Sequence, residues 1–148
     1  MKLLIYIIIF ISFSVNSTEF DYGFTIIKNP LLKITSEHSE TGAGYFTIYN
    51  KSKDEIHLIG VETNIAKSSD IHETKIENDI VKMRKINDKI TIKPNHTFEF
   101  KPMKTHIMFY DFTKQLKIQE LVVINLIFEQ KKAVKVYFKV EAEHQHQH

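Results

Sequence analysis

Hydrophobic and polar residues alternate along much of this chain with a period of two. The alternation is clearest near the C-terminus, where lysine and tyrosine residues separate Val134, Val136, Phe138 and Val140. Residues 42–50 repeat the pattern, so both segments predict half-buried β-strands. No long segment shows the spacing of 3.6 residues that indicates an amphipathic helix.

Turn-forming residues divide the alternating segments into about eight to ten short strands. We expect Asn29-Pro30 to form a turn between two of them, residues 67–70 to form a polar link, and residues 77–79 to close a hairpin. Residues 113–120 are expected to form one turn of helix at most. Short strands joined by frequent turns predict an all-β sandwich or barrel.

The N-terminus has the pattern of a secretory signal peptide, because one lysine, Lys2, precedes an apolar run and then small, polar residues. We expect cleavage after Ser17; an uncleaved membrane anchor is the alternative. A lipid-anchored precursor would need a cysteine at the cleavage site, and the sequence contains none. The predicted organisation is a signal peptide at 1–17, one sandwich domain at 18–140, a histidine-rich tail at 141–148, and export to the periplasm.

Composition excludes several classes of function. The 20 basic residues nearly balance the 18 acidic ones and are scattered, which argues against a nucleic-acid partner. With no cysteine, the chain can form neither a blue-copper thiolate site nor a redox-active thiol. No GxSxG nucleophile pattern is present either. We therefore expect a protein that is not an enzyme.

Two histidines and two methionines form a candidate set of soft metal ligands: His72, Met83, His106 and Met108. Residues two apart on a strand share a face, so His106 and Met108 can reach one metal, while the other two must arrive from neighbouring strands. Imidazole and thioether donors are neutral, and soft thioether sulfur selects Cu(I) rather than zinc or calcium. The sequence therefore predicts a Cu(I) site that releases its metal to a better acceptor.

Other interpretations of these four residues stay open. Methionine often fills gaps in a core, and a lone histidine is often a surface residue, so the chain could be a secreted immunoglobulin-like interaction module. A copper-dependent enzyme is a third hypothesis, although nothing in the sequence specifies a substrate pocket.

The segments GAGYFTIYN, IHE, VKMR, KITIKP and FKPMKTHIMF together resemble the PCu(A)C periplasmic copper chaperones, over residues 34–140. The resemblance implies a cupredoxin-like or immunoglobulin-like β-sandwich, with Cu(I) bound by His72, Met83, His106 and Met108. It also implies a monomer that passes copper to the CuA site of cytochrome c oxidase subunit II. The chain departs from the family pattern in two places: the interval from Met83 to His106 is one residue longer, and Thr74 stands where methionine is frequent.

The resemblance also suggests accessory ligands. Family members often have Gly-Gly where this chain has Met103-Lys104, so Met103 is a candidate extra sulfur, or else a loop residue packed over the end of the sandwich. Because the family often carries His- or Met-rich extensions, a second site favouring Cu(II) is expected at the tail, from His144, His146 and His148. An end without fixed structure, or an expression tag, is the alternative there.

Overall fold

The computed structural model describes residues 17–129 and 131–143, and within these residues it is built from strands and contains no helix. The predicted all-β class is confirmed. The strands number eleven rather than eight to ten, and they are β1 (Glu19–Asp21), β2 (Thr25–Ile34), β3 (Thr41–Asn50), β4 (Ile56–Glu62), β5 (Ala66–Glu77), β6 (Ile80–Lys85), β7 (Ile90–Ile92), β8 (Thr97–Phe100), β9 (Thr105–Phe112), β10 (Leu121–Phe128) and β11 (Val134–Ala142).

The strands follow one hydrogen-bonded path, in the order β6-β5-β9-β3-β2-β11-β10-β4-β7, with β1 added to β2 and β8 added to β3. The pairings along this path are antiparallel except that of β11 with β2, which is parallel. Strand β3 changes partner along its length, since its first half pairs with β9 and its second half with β8. Strands β9 and β8 therefore share one edge of β3.

One hydrophobic core lies between the layers. Side chains from β5 and β9, such as Ile71 and Phe109, belong to the same buried cluster as Leu58, Ile124 and Phe138 from the opposite half of the path. The terminal hairpin has one wet face, as its alternation predicts, because Phe138 is fully buried while its neighbour Tyr137 is 42% exposed. Burial of each large apolar side chain contributes about 1.5–3 kcal/mol, so this cluster is the main stabilising element.

Strand β3 passes very close to its neighbours near Gly42 and Gly44. A Cβ atom at Gly42 would lie 2.9 Å from the main-chain oxygen of Lys33 and 2.9 Å from the ring of Phe112. At Gly44 the nearest atom, on the ring of Phe109, would be 3.0 Å away. These glycines therefore set the close approach between β3 and β9.

Two sequence predictions about turns are wrong. Asn29-Pro30 does not separate two strands: β2 continues through it with a shift of register between Lys28 and Leu31, and Asn29 adopts a left-handed φ of 50°. Pro30 has no N–H group to donate to the ladder, and the bulge accommodates it, since proline is tolerated in strands at such irregularities.

Residues 67–70 do not form a link either, since β5 runs unbroken from Ala66 to Glu77. Their polar side chains are accommodated because Lys67 and Ser68 are exposed and the other two are only partly buried. The hairpin predicted at residues 77–79 is confirmed: β5 and β6 are joined by Asn78 and Asp79, which both have positive φ, at 54° and 61°. Two such residues are typical of the tight turn between antiparallel strands.

The predicted signal peptide, apart from Ser17, and the tail histidines lie outside the described residues.

Candidate metal centre

Strands β5 and β9 place His72 and His106 directly opposite each other. The centroids of the two imidazole rings are 6.1 Å apart, and the ring planes make an angle of 39°. Both residues lie on the face opposite the core, because their neighbours Ile71 and Ile107 point inward and are buried. His106 is nevertheless only 5% exposed, so this face is covered around the pair.

Met108 lies on the same face, two residues beyond His106, and is half-buried. Its partner across the ladder is Asp70, so Met108 is a diagonal neighbour of His72. Diagonal residues in antiparallel strands are about 7–8 Å apart at their Cα atoms, which a long side chain can span. The structure thus brings His72, His106 and Met108 together.

Met83 shares this face but sits at another level of the sheet. It pairs with Thr74 across the β5–β6 hairpin, whereas Met108 is level with Asp70. Four residues of β5 separate the two levels, which is about 13 Å along the strand. Met83 is also a diagonal neighbour of His72, and it is 53% exposed. It is therefore the outlying donor of the four.

Each imidazole keeps one nitrogen for which the described part of the chain supplies no hydrogen bond. Nδ1 of His106 lies 3.0 Å from the carbonyl oxygen of Lys104 and must donate to it, because a carbonyl only accepts; Nε2 is left with its lone pair. In His72, Nε2 lies 3.3 Å from the hydroxyl of Tyr110, while Nδ1 is buried without a partner. A buried nitrogen without a partner is costly unless something else binds it.

The surroundings of His72 keep its ring neutral. Burial lowers the pKa of His72, the nearby His106 and Lys85 lower it further, and only the carboxylate of Asp70 opposes them. Asp70 is itself held by Lys85, at 2.5 Å. Neutral imidazole is the form that binds metal, so the environment favours a ligating state at neutral pH.

Two tyrosines frame the site, and the sequence analysis did not identify them. Tyr110 contacts His72, and the ring of Tyr45 lies 6.3 Å from that of His106. Tyr110 continues the period-two series His106, Met108, Tyr110 along β9, so the pattern contained a signal for it. Tyr45 lies on β3, so no pattern within β9 could identify it.

The accessory candidates lie at the margins of the site. Met103 occupies the turn before β9 with a left-handed φ of 59°, is 53% exposed, and lines a groove with Thr74 and Ile76. The three tail histidines are not described. Burial raises the pKa of Tyr45, and the charge of Glu143, the last described residue, raises it further. Glu143 therefore lies near the tyrosine whose ring is beside that of His106.

The commonest metal-binding side chains do not form a cluster within the described residues. In residues 17–129 and 131–143, no three side chains of the His, Cys, Asp and Glu types are grouped so as to hold an ion. The described residues also include no helix with the length and apolar character needed to cross a membrane.

Known structures share this fold. The copper-bound PCuAC domain from PmoF2 superposes with a TM-score of 0.69 at 22% identity, over 85% of this chain and 99% of that domain. The apo PCuAC domain from PmoF1 gives 0.70 at 18% identity, over 85% and 100%. Apo-DR1885 from Deinococcus radiodurans gives 0.64 at 20% identity, over 97% and 95%. The predicted cupredoxin-like or immunoglobulin-like sandwich of the PCu(A)C domains is confirmed.

Sequence comparisons identify relatives as well. The chain is 29% identical over 82 residues to the uncharacterized protein RP573 of Rickettsia prowazekii, which is 55% of this chain and 45% of that protein. The matched region thus spans less than half of the Rickettsia protein. The family model "Putative lipoprotein LpqE-like" matches residues 25–140, nearly the whole described domain. The chain, with its PCuAC-type sandwich, therefore belongs to the LpqE-like family.

Proposed function

We propose that this protein is a Cu(I) chaperone that acts outside the cytoplasm and hands its metal on by ligand exchange. The observation that carries the proposal is the pairing of His72 with His106 on one face of a PCuAC-type fold, each with a nitrogen free of protein partners within the described chain. Met108 on the same face and Met83 on the hairpin complete a neutral set of two imidazoles and two thioethers. Such a set suits a soft monovalent ion.

The burial of the four side chains suggests how copper is transferred. His106 is buried and its ring is oriented by the carbonyl of Lys104, so it forms the fixed part of the site. Met83 is more than half exposed and sits away from the other sulfur, so it binds last and leaves first. A donor from an acceptor protein can replace Met83 before the imidazoles release the ion. No bond other than those to copper is made or broken, so the protein is a carrier and not an enzyme.

The acceptor that fits this chemistry is the CuA site of cytochrome c oxidase subunit II, as the resemblance to the PCu(A)C chaperones implies. The LpqE-like membership and the signal-like N-terminus support export, with the periplasm as the compartment. Met103 is proposed as an extra thioether at the margin of the site. His144, His146 and His148 are proposed as a separate nitrogen-rich site for Cu(II). We propose that the protein acts as a monomer.

A Cu(I) titration of residues 18–148 against a chromophoric chelator tests the proposal. We expect the His106→Ala, Met108→Leu double variant to lose at least a hundredfold in affinity, and a His57→Ala control to lose nothing. His57 is chosen because it lies on β4 and contacts Thr91, away from the site. Since His106 is buried, His72→Gln provides a second variant with less risk to folding. Unchanged Cu(I) affinity in both site variants would rule out this site.

A further inference from the structure

Strand β6 is one of the two outer edges of the strand order. It begins the strand order, and within the described chain its only partner is β5. All six of its residues are exposed. One side of its main chain is therefore open to a further strand, a position that proteins use for recognition by strand addition.

The register identifies which main-chain groups are free. The amide of Ile86 donates to the carbonyl of Ile71 at 2.8 Å, in line with the β5–β6 ladder. Hydrogen-bonded pairs alternate along an antiparallel ladder, so the even-numbered residues of β6 bond to β5. The N–H and C=O groups of Val81, Met83 and Lys85 consequently point outward, away from β5.

The side chains of these same outward residues lie on the face of His72. Val81 pairs with Ile76, and Met83 pairs with Thr74. Ile76, Val81 and Met83 are 65%, 57% and 53% exposed, and they form a continuous apolar stripe that ends at a proposed copper ligand. A strand added beside β6 would therefore cover the stripe and approach the metal at the same time.

Charge distinguishes between possible occupants of this edge. Strand β6 contains Lys82, Arg84 and Lys85 and no carboxylate. Their acidic partners, Glu77 and Asp70, lie on β5, on the side away from the free edge. A second copy of β6 would set three cations against three, and like charges facing each other are destabilising. An acidic segment is complementary instead.

We propose that an acidic, extended segment of the copper-accepting protein adds to the free edge of β6 and presents a Met, His or Cys donor beside Met83. This inference rests on the proposed function and specifies how the partner recognises the site. Residues opposite each other in antiparallel strands have Cβ atoms about 4.5–5.5 Å apart and share a face. The incoming donor forms its bond to Cu(I) as the bond from the Met83 sulfur breaks, and copper stays monovalent throughout.

A synthetic peptide provides the probe. The peptide Glu-Val-Glu-Met-Glu-Val-Glu, blocked at both ends, places methionine and valine on one face and acidic side chains on the other, opposite Lys82 and Arg84. It is titrated into Cu(I)-loaded residues 18–148 while amide chemical shifts are followed by NMR. We expect the largest shifts at Val81, Met83 and Lys85.

The matched variants are Val81→Pro and Val81→Thr. Proline removes an amide that points outward and takes no part in the β5 ladder, so the hairpin is expected to persist, whereas threonine keeps the amide. Val81→Pro should weaken peptide binding at least tenfold and leave Cu(I) affinity within twofold, whereas Val81→Thr, which loses only one methyl contact on the stripe, should weaken peptide binding by less than threefold and leave Cu(I) affinity within twofold. A peptide N-methylated at its central residues should also fail to bind, which tests the same hydrogen bonds without altering the protein.

The outcomes separate this inference from the proposed function. If the chain binds Cu(I) but the peptide binds elsewhere, does not bind, or binds Val81→Pro equally well, strand addition is wrong and the chaperone proposal stands. If sedimentation shows a dimer that Val81→Pro dissociates, the occupant is a second copy and the inference also fails. If the chain does not bind Cu(I), the failure belongs to the proposed function.

Discussion

The hydroxyl of Tyr110 lies 3.3 Å from Nε2 of His72, so an uncharged side chain orients the ring that stands opposite His106. This contact leaves Nδ1 of His72 as the buried nitrogen without a partner. A group that orients a metal-binding histidine does so by a hydrogen bond to its other ring nitrogen, and removing such a group commonly lowers metal affinity by about 10–100-fold. Tyr110 is therefore expected to act on copper through His72.

The Tyr110→Phe variant tests this contact. We expect it to bind Cu(I) about tenfold more weakly, because the ring of His72 loses its only hydrogen-bond partner within the described chain. The measurement is chelator competition, with Tyr137→Phe as a control on an exposed strand face remote from β5 and β9. Equal affinities for the two variants would show that Tyr110 does not orient the site.

Acid should destabilise the metal-free protein through His72. Because the pKa of His72 in the folded chain is below its ordinary value of 6.5, the unfolded chain takes up the proton first as the pH falls. Its contribution to stability is fully present above pH 6.5 and is lost as the pH falls through the folded pKa. The free energy of unfolding should therefore decrease with acidification below pH 6.5, as measured by urea denaturation.

His72→Gln should remove part of this pH dependence, because glutamine does not titrate. The relevant comparison is the slope of the free energy of unfolding against pH, in the wild type and in the variant, below pH 6.5. Identical slopes would mean that other groups account for the acid sensitivity.

The close approach at β3 predicts a large effect from a small substitution. Gly42→Ala places a methyl group 2.9 Å from a main-chain oxygen of β2, which cannot move without displacing the strand. We expect a loss of about 1–3 kcal/mol in the free energy of unfolding. Gly60→Ala on β4 is the matched control, because a Cβ atom added there would have nothing within 4 Å. A similar result for the two variants in denaturant titrations would contradict the packing described for β3.

The turn before β9 is strained at Met103. A non-glycine residue in the left-handed region costs about 1–2 kcal/mol, and Met103 has a φ of 59°. Met103→Gly should relieve this strain and raise the midpoint of thermal unfolding, while Met103→Leu keeps the strain and removes only the sulfur. If Met103→Gly is no more stable than the wild type, Met103 is not strained. Both variants also lack the sulfur, so a weaker Cu(I) affinity in both would support Met103 as an accessory ligand.

Period-two alternation predicted most strands of this fold because one face of each packs on the core. The turn signal failed at Asn29-Pro30 because a bulge keeps the strand continuous, and the amide of Asn29 donates at 2.8 Å to the carbonyl of Thr18, in the segment that precedes β1. The polar-link signal failed at residues 67–70 because a run of polar residues within a continuous strand resembles a link in the local sequence. Neither tertiary arrangement is visible in the local sequence.

The local sequence likewise predicted part of the candidate site and missed the rest. Spacing within β9 was sufficient to place His106 and Met108 on one face, and the register of β5 brought His72 opposite. The level of Met83 could not be predicted, because it depends on where the β5–β6 hairpin turns relative to β9. Tyr45 was missed for a similar reason, since it comes from β3, which is far from the motif in sequence.

Strand β11, which follows the other described strands in the sequence, lies in the interior of the strand order between β2 and β10. A nascent chain that stops before residue 134 would leave two long strands with open edges and no way to join them. Closure of the sandwich therefore requires residues 134–142, so a chain still being synthesised would keep these edges exposed until β11 had formed.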